Sequence, residues 1–145
     1  MKKIAMFILA SMTMTMGYAS DTLDGSKWKT VDDNNGQTRF LIEIKKAKNN
    51  SYEGVITEVY DQRNKQVCTT CKGSLAGKHL QGVTVIHDLK LKSDGTYDGG
   101  KILDPDSGRT YSLQGELKDG GKKLQLRGYL GISALGRSQT WLRAN

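Results

Sequence analysis

The spacing of two cysteines is the feature of this sequence that most clearly suggests a chemical role. Cys68 and Cys71 are separated by two threonines, which is the spacing of redox-active thiol pairs. A redox cysteine usually lies at a helix N-terminus, where the dipole lowers its pKa, but the residues after Cys71 run into glycines and show no helical pattern. We therefore predict a structural disulfide that pins a long loop, with redox chemistry and metal binding as the alternatives.

The two histidines are the remaining candidates for acid–base chemistry or metal binding. His79 follows the cysteine pair, and His87 shares one face of a predicted strand with apolar residues. Neither histidine has a standard zinc-ligand spacing from the cysteines, and nothing places a nucleophile beside them. We predict no metal site and no cofactor, and we interpret His87 as an interior or rim residue of the fold.

Two glycine-containing segments partly match catalytic or cation-binding motifs. Residues 131–136 read Gly-Ile-Ser-Ala-Leu-Gly, one residue longer than a nucleophile elbow and without its parallel sheet or following helix. Residues 104–108 read Asp-Pro-Asp-Ser-Gly, but they lack the third oxygen ligand and the distal glutamate of a calcium loop. We interpret both segments as connections and predict that the protein is not an enzyme.

The elements that must position these residues are strands, because apolar and polar residues alternate with a period of two. Phe40, Ile42 and Ile44, for example, share one face of a segment whose other face is polar. Strands are predicted at residues 26–31, 39–45, 52–60, 83–91, 97–103, 110–117, 123–130 and 138–143. Turns rich in Gly, Asn and Asp separate them at hairpin spacing. The pattern predicts an all-β fold, an antiparallel up-and-down barrel of about eight strands, since closure removes the sheet edges; a β-sandwich is the alternative.

The first nineteen residues have the composition of a secretory signal peptide. A Met-Lys-Lys start precedes an apolar run at residues 4–16, which is too short to span a bilayer, and small residues precede a cut after Ala19. Removing residues 1–19 lowers the net charge from +7 to +5. We predict a signal peptide at 1–19 and a single barrel domain at 20–145. The mature protein is then periplasmic or secreted, and it is not an integral membrane protein.

The basic excess is dispersed along the chain. Lys and Arg number 22 against 15 Asp and Glu, and the lysines fall mostly at predicted strand ends and turns. A groove for single-stranded nucleic acid needs aromatic side chains interleaved along one basic channel. We therefore predict no nucleic-acid partner.

Several segments together resemble a family of small exported bacterial proteins known as domain of unknown function 2147. The resemblance is carried by residues 25–30 (GSKWKT), Cys68-x-x-Cys71-x-Gly73, residues 99–105 (GGKILDP) with Gly108 and Tyr111, and residues 127–143 with their spaced Gly, Trp and Arg. It covers nearly the whole mature chain. It implies export but no particular reaction.

Trp28 and Arg143 carry a looser resemblance to lipocalin and fatty-acid-binding barrels. Those barrels place a Trp on the first strand and an Arg at the end of the last strand, packed together across the closed end. The resemblance implies an indole–guanidinium contact on the barrel floor. Gly25 precedes Trp28 by three residues rather than two, so only the pairing carries over. The alternative is that Trp28 and Trp141 are ordinary core aromatics.

These expectations favour a non-catalytic protein that binds a small apolar or amphipathic ligand inside the barrel. The predicted interior residues are Trp28, Ile42, Ile44, Val85, His87, Leu113, Leu124, Leu126, Trp141 and Arg143. The alternative is a structural or interaction module of the cell envelope, with a packed barrel that contacts an envelope component through the Cys68–Cys71 loop and residues 131–137. A connected apolar cavity favours binding, and a filled interior favours the module.

Overall fold

The computed structural model describes residues 23–60 and 66–145. The predicted signal peptide at 1–19 lies outside the described residues. The strands are β1 (Ser26–Val31), β2 (Thr38–Lys46), β3 (Ser51–Val59), β4 (Thr84–Leu91), β5 (Tyr97–Leu103), β6 (Thr110–Lys118), β7 (Lys123–Tyr129) and β8 (Arg137–Arg143). Short 3₁₀ helices lie at Lys48–Asn50, Gly73–Leu75, Asp119–Gly121 and Ser133–Leu135.

The eight strands form one closed antiparallel barrel in sequence order. Each strand pairs with the next along the chain, and β1 closes the ring by pairing with β8. At that closure Trp28 lies opposite Arg143, and Lys29 lies opposite Leu142. The predicted up-and-down barrel is confirmed, and the β-sandwich alternative is wrong.

The alternating strand directions give the barrel two different ends. The loops that follow β1, β3, β5 and β7 lie together at the end we call the open end, and they include the two cysteines. The shorter loops that follow β2, β4 and β6 lie at the opposite end, which we call the closed end. Residues before β1 and after β8 also meet there, because Asn145 Nδ2 donates to the carbonyl of Gly25 at 3.2 Å.

The closed end is filled by large side chains. Trp28 is fully buried, its indole N–H donates to Ser26 Oγ at 2.6 Å, and the Arg143 guanidinium carbon lies 5.3 Å from the centre of its rings. Tyr52 and Tyr97 pack edge to face beside this layer, with centroids 5.6 Å apart. The predicted contact between Trp28 and Arg143 is confirmed.

Strand β4 departs from the simple alternation that the sequence suggests. A register shift against β3 turns both Val85 and Ile86 toward the core, as a β-bulge does. Asp88 then has a positive φ of 56°, and Leu89 returns to the interior. His87 is left exposed on the outside of the barrel. Its predicted interior position is wrong, because the extra residue at Val85 reverses the face on which His87 lies, and a second register shift between Ile86 and Leu89 then restores the original face.

Candidate functional site

A cavity of about 390 Å³ lies inside the open end of the barrel. All eight strands contribute residues to its lining, largely from the inward-facing positions that the period of two places on one face. The apolar wall residues include Phe40, Ile42, Ile56, Val85, Ile102, Leu113, Leu126 and Trp141. The lining therefore combines an apolar interior with the polar residues at the mouth described below.

Glycines contribute to the difference between the close packing in the middle of the barrel and the cavity at this end. A Cβ added at Gly100 would lie 2.8 Å from a methyl carbon of Leu89, and one added at Gly54 would lie 3.0 Å from Ile86. Those two glycines permit close packing. A Cβ at Gly128, which lines the cavity, would meet Tyr111 Cβ at an ordinary 3.6 Å. A Cβ at Gly128 would therefore make an ordinary contact without forcing its neighbours to move.

The structure brings only some of the predicted interior residues to this cavity. Five of them line it: Ile42, Val85, Leu113, Leu126 and Trp141. Four others lie in or beside the filled closed end: Trp28, Ile44, Leu124 and Arg143. His87 lies outside the barrel wall. The contribution of the five wall residues to binding stays a prediction.

An ion pair crosses the mouth of the cavity. Arg39, near the start of β2, donates from Nη1 and Nη2 to the two carboxylate oxygens of Asp106 at 2.6 and 2.9 Å. Asp106 belongs to the β5–β6 loop, which lies across the barrel from β2, so the pair joins opposite walls. Asp32 lies on the other edge of the guanidinium, 3.9 Å from Nε, and the Phe40 ring centre is 5.1 Å from Cζ.

Sequence reasoning missed both residues of this pair. The alternation in β2 places Arg39 on the polar face, and Asp106 reads as part of an ordinary turn. The two residues are 67 positions apart, and no local pattern links them. Only the order of the strands around the barrel brings them together.

A second set of polar contacts lies on the β8 side of the mouth. Trp141 donates its indole N–H to Gln139 Oε1 at 2.6 Å, and Gln139 donates in turn to the carbonyl of Val31 at 3.0 Å. Arg137, beside them, forms an ion pair with Asp33. These contacts orient the Gln139 amide and give the apolar cavity a polar rim.

The disulfide-bearing loop supports the β5–β6 loop from outside. Cys68 and Cys71 form the predicted disulfide, with their Cα atoms 5.4 Å apart. Between them Thr70 donates its hydroxyl to the carbonyl of Pro105 at 2.7 Å. Gly108 fits directly beneath Thr70, since a Cβ at this position would lie 2.1 Å from the Thr70 carbonyl oxygen. The loop that supplies the mouth ion pair is therefore held by a cross-linked neighbour.

Replacing Gly108 with alanine tests this support. Both Gly108 and Gly95 have positive φ, 68° and 85°, but nothing lies within 4 Å of a Cβ at Gly95. Gly95→Ala should therefore cost only the backbone strain of about 1–2 kcal/mol. Gly108→Ala should cost about 1–3 kcal/mol more, because it also forces the two loops apart. Urea unfolding measures both, and equal losses would contradict the contact.

Neither histidine is among the described residues that line the cavity. Within residues 23–60 and 66–145, no three His, Cys, Asp or Glu side chains are grouped to hold a metal ion. His79 and His87 are both exposed. Beyond the end of β3, the Tyr60 hydroxyl donates to Glu58, and this hydrogen bond raises the pKa of Tyr60 above its ordinary value. In the same described ranges, no helix combines the length and the apolar character needed to cross a membrane.

Comparison with known proteins places this barrel in a family. The fold is similar to that of protein HP1028 from Helicobacter pylori, which belongs to the lipocalin family, with a TM-score of 0.71 and 20% sequence identity over 85% of this chain and 83% of that chain. At that identity the similarity shows the fold alone. No curated protein matches the chain. A family model described as an uncharacterized protein conserved in bacteria matches residues 26–143, from the first residue of β1 to the last of β8. The chain therefore belongs to this bacterial family, domain of unknown function 2147.

Proposed function

We propose that the protein binds a small apolar or amphipathic molecule in the open end of its barrel. The observation that carries the proposal is the cavity of about 390 Å³, which has apolar inner walls and a polar mouth. Ligand sites commonly have volumes of about 300–1,000 Å³. At about 30 Å³ for each water-sized group, this cavity holds a molecule of about 13 heavy atoms. An empty space also deprives its walls of dispersion contacts, and a ligand would restore them.

The site of action in this proposal is outside the cytoplasm. Residues 1–19 would be removed as a signal peptide, and residues 20–145 would act in the periplasm or after secretion. The Cys68–Cys71 disulfide supports this, because such bonds form and persist in oxidising compartments.

The role in this proposal is binding without catalysis. Support comes from the position of the two histidines, which are exposed while the described cavity lining contains neither of them. Acid–base catalysis most often uses a histidine within hydrogen-bond reach of the bound molecule, and the carboxylate of Asp106 at the mouth is instead paired with Arg39.

Thermal unfolding with a panel of matched ligands tests the proposal. The panel contains decanoate, decan-1-ol, a short-chain quinone and a mild detergent, and glucose serves as a polar control with a similar number of heavy atoms. A ligand at a hundred times its Kd should stabilise the native state by about 2.7 kcal/mol. For a chain of this size, that raises Tm by roughly 10 °C. A flat response to every apolar member of the panel would reject ligand binding.

A second candidate function is an envelope interaction module that acts through the β7–β8 loop. Leu130, Ile132 and Leu135 on this loop are 53%, 62% and 78% exposed. Arg127 holds the loop by donating from Nε to the carbonyl of Ser133 at 2.6 Å. Ile132→Ser and Leu135→Ser together should reduce association with envelope membranes and leave ligand-induced stabilisation unchanged. Unchanged membrane association in this double variant would count against the module.

A further inference from the structure

We propose that the cavity prefers ligands with an anionic head group and that Arg39 is the residue that binds this group. The inference rests on the proposed function and specifies its ligand class. In the structure Asp106 already presents a carboxylate to Arg39 in the bidentate arrangement that guanidinium groups favour. Asp106 therefore marks the position that the head group of a ligand would take.

The position of Arg39 suits this role better than that of the other arginine at the mouth. The Arg39 side chain lines the cavity and is 15% exposed, whereas the Arg137 side chain is 76% exposed. Water screens a charge at an exposed site, so an ion pair there contributes little. A charge-assisted pair at the sheltered Arg39 is stronger because the local dielectric constant is lower.

Exchange of one carboxylate for another keeps the guanidinium paired throughout. Asp106 is the more exposed partner at 39%, so its carboxylate can return to water when a ligand replaces it. The loop around Asp106 is also held by other hydrogen bonds, such as the one that the backbone N–H of Asp106 donates to Asp104 Oδ1 at 2.9 Å. Asp32 lies 3.9 Å from Nε of Arg39, whereas the Nη1 and Nη2 atoms donate to Asp106, so the exchange takes place at the Nη1–Nη2 edge.

This arrangement makes Asp106 an internal competitor of the ligand. The apolar tail would lie against inner wall residues such as Leu113 and Leu126, and the head group would lie at the mouth beside Arg39. Removing the negative charge of Asp106 should then strengthen binding of an anionic ligand, whereas removing the positive charge of Arg39 should weaken it. A purely structural ion pair predicts no such opposite effects.

Calorimetric titration with decanoate, decan-1-ol and decylammonium tests the inference, because these probes differ mainly in the charge of the head group. We expect the parent protein to bind decanoate about tenfold more tightly than decan-1-ol, as one charge-assisted bond provides. Arg39→Gln should remove that preference and change decan-1-ol affinity less than about threefold. Asp106→Asn should raise decanoate affinity severalfold. Arg109→Gln is the matched control, since Arg109 is an exposed arginine next to the same loop and should have no effect.

The possible outcomes separate this inference from the proposed function. If the parent protein binds decanoate and decan-1-ol equally, the inference is overturned and ligand binding stands. If none of the probes binds, the proposed function fails and the inference fails with it. Weaker decanoate binding in Asp106→Asn would also overturn the inference. In that case the ion pair between Arg39 and Asp106 would maintain the shape of the mouth, and Asp106 would not compete with the ligand. Even if Arg39→Gln does not fold, the affinity of the parent protein for decanoate relative to decan-1-ol tests the inference.

Discussion

Replacing Gly128 with leucine is expected to reduce ligand affinity at least tenfold while leaving the barrel as stable as the parent. The leucine side chain would occupy about 120 Å³, counting about 30 Å³ for each of its four carbons. That is roughly a third of the cavity. A Cβ at this position meets its nearest neighbour at an ordinary 3.6 Å, and we expect the rest of the leucine side chain to extend into the cavity that Gly128 lines. Calorimetric titration with decan-1-ol measures the loss.

Gln125→Leu is the matched control for this variant. Gln125 lies on the same strand, β7, but it is exposed, so the same side chain is added outside the cavity. Its affinity for decan-1-ol should equal that of the parent protein. Unchanged affinity in Gly128→Leu would place the binding site elsewhere.

Replacing Trp28 with alanine is expected to lower the free energy of unfolding by about 3–5 kcal/mol. Trp28 is fully buried at the closed end, where it also donates a hydrogen bond to Ser26 and packs under Arg143. Trp28→Phe keeps an aromatic ring and loses the N–H, so it should cost less. Urea unfolding followed by circular dichroism gives both values.

The effect of Trp28→Ala should be confined to stability. The cavity lies at the open end, and Trp28 is not among its described lining residues. The folded fraction of this variant should therefore bind decan-1-ol with nearly the affinity of the parent. A loss of less than about 1 kcal/mol, well below the range for buried Trp→Ala, would show that the closed end tolerates an unfilled space.

Most of the fold could be predicted because its signals are local. The alternation of apolar residues defines the strands, and Asp, Asn and Gly mark the turns between them. For β1 and β5 the predicted and observed bounds are the same, at Ser26–Val31 and Tyr97–Leu103. The contact between Trp28 and Arg143 was also predicted, but from resemblance to known barrels rather than from spacing.

The candidate site was only partly predictable because it depends on contacts between distant residues. The bulge at Val85 places His87 outside, and the alternation of apolar residues in β4 does not indicate this bulge. The sequence does not distinguish Gly100 from Gly128. In the structure, a Cβ at Gly100 would lie too close to Leu89, whereas a Cβ at Gly128 would make only ordinary contacts. The ion pair between Arg39 and Asp106 arises from the closure of the barrel.

The most direct test of an accessible ligand cavity is an NMR titration of methyl-labelled protein with decan-1-ol. We expect saturable shifts at the cavity-lining methyl groups of Ile42, Leu113 and Leu126, with little change at Leu142, which is 44% exposed on β8. Shifts confined to exposed methyl groups, or no saturable shift at the three wall residues, would contradict this expectation.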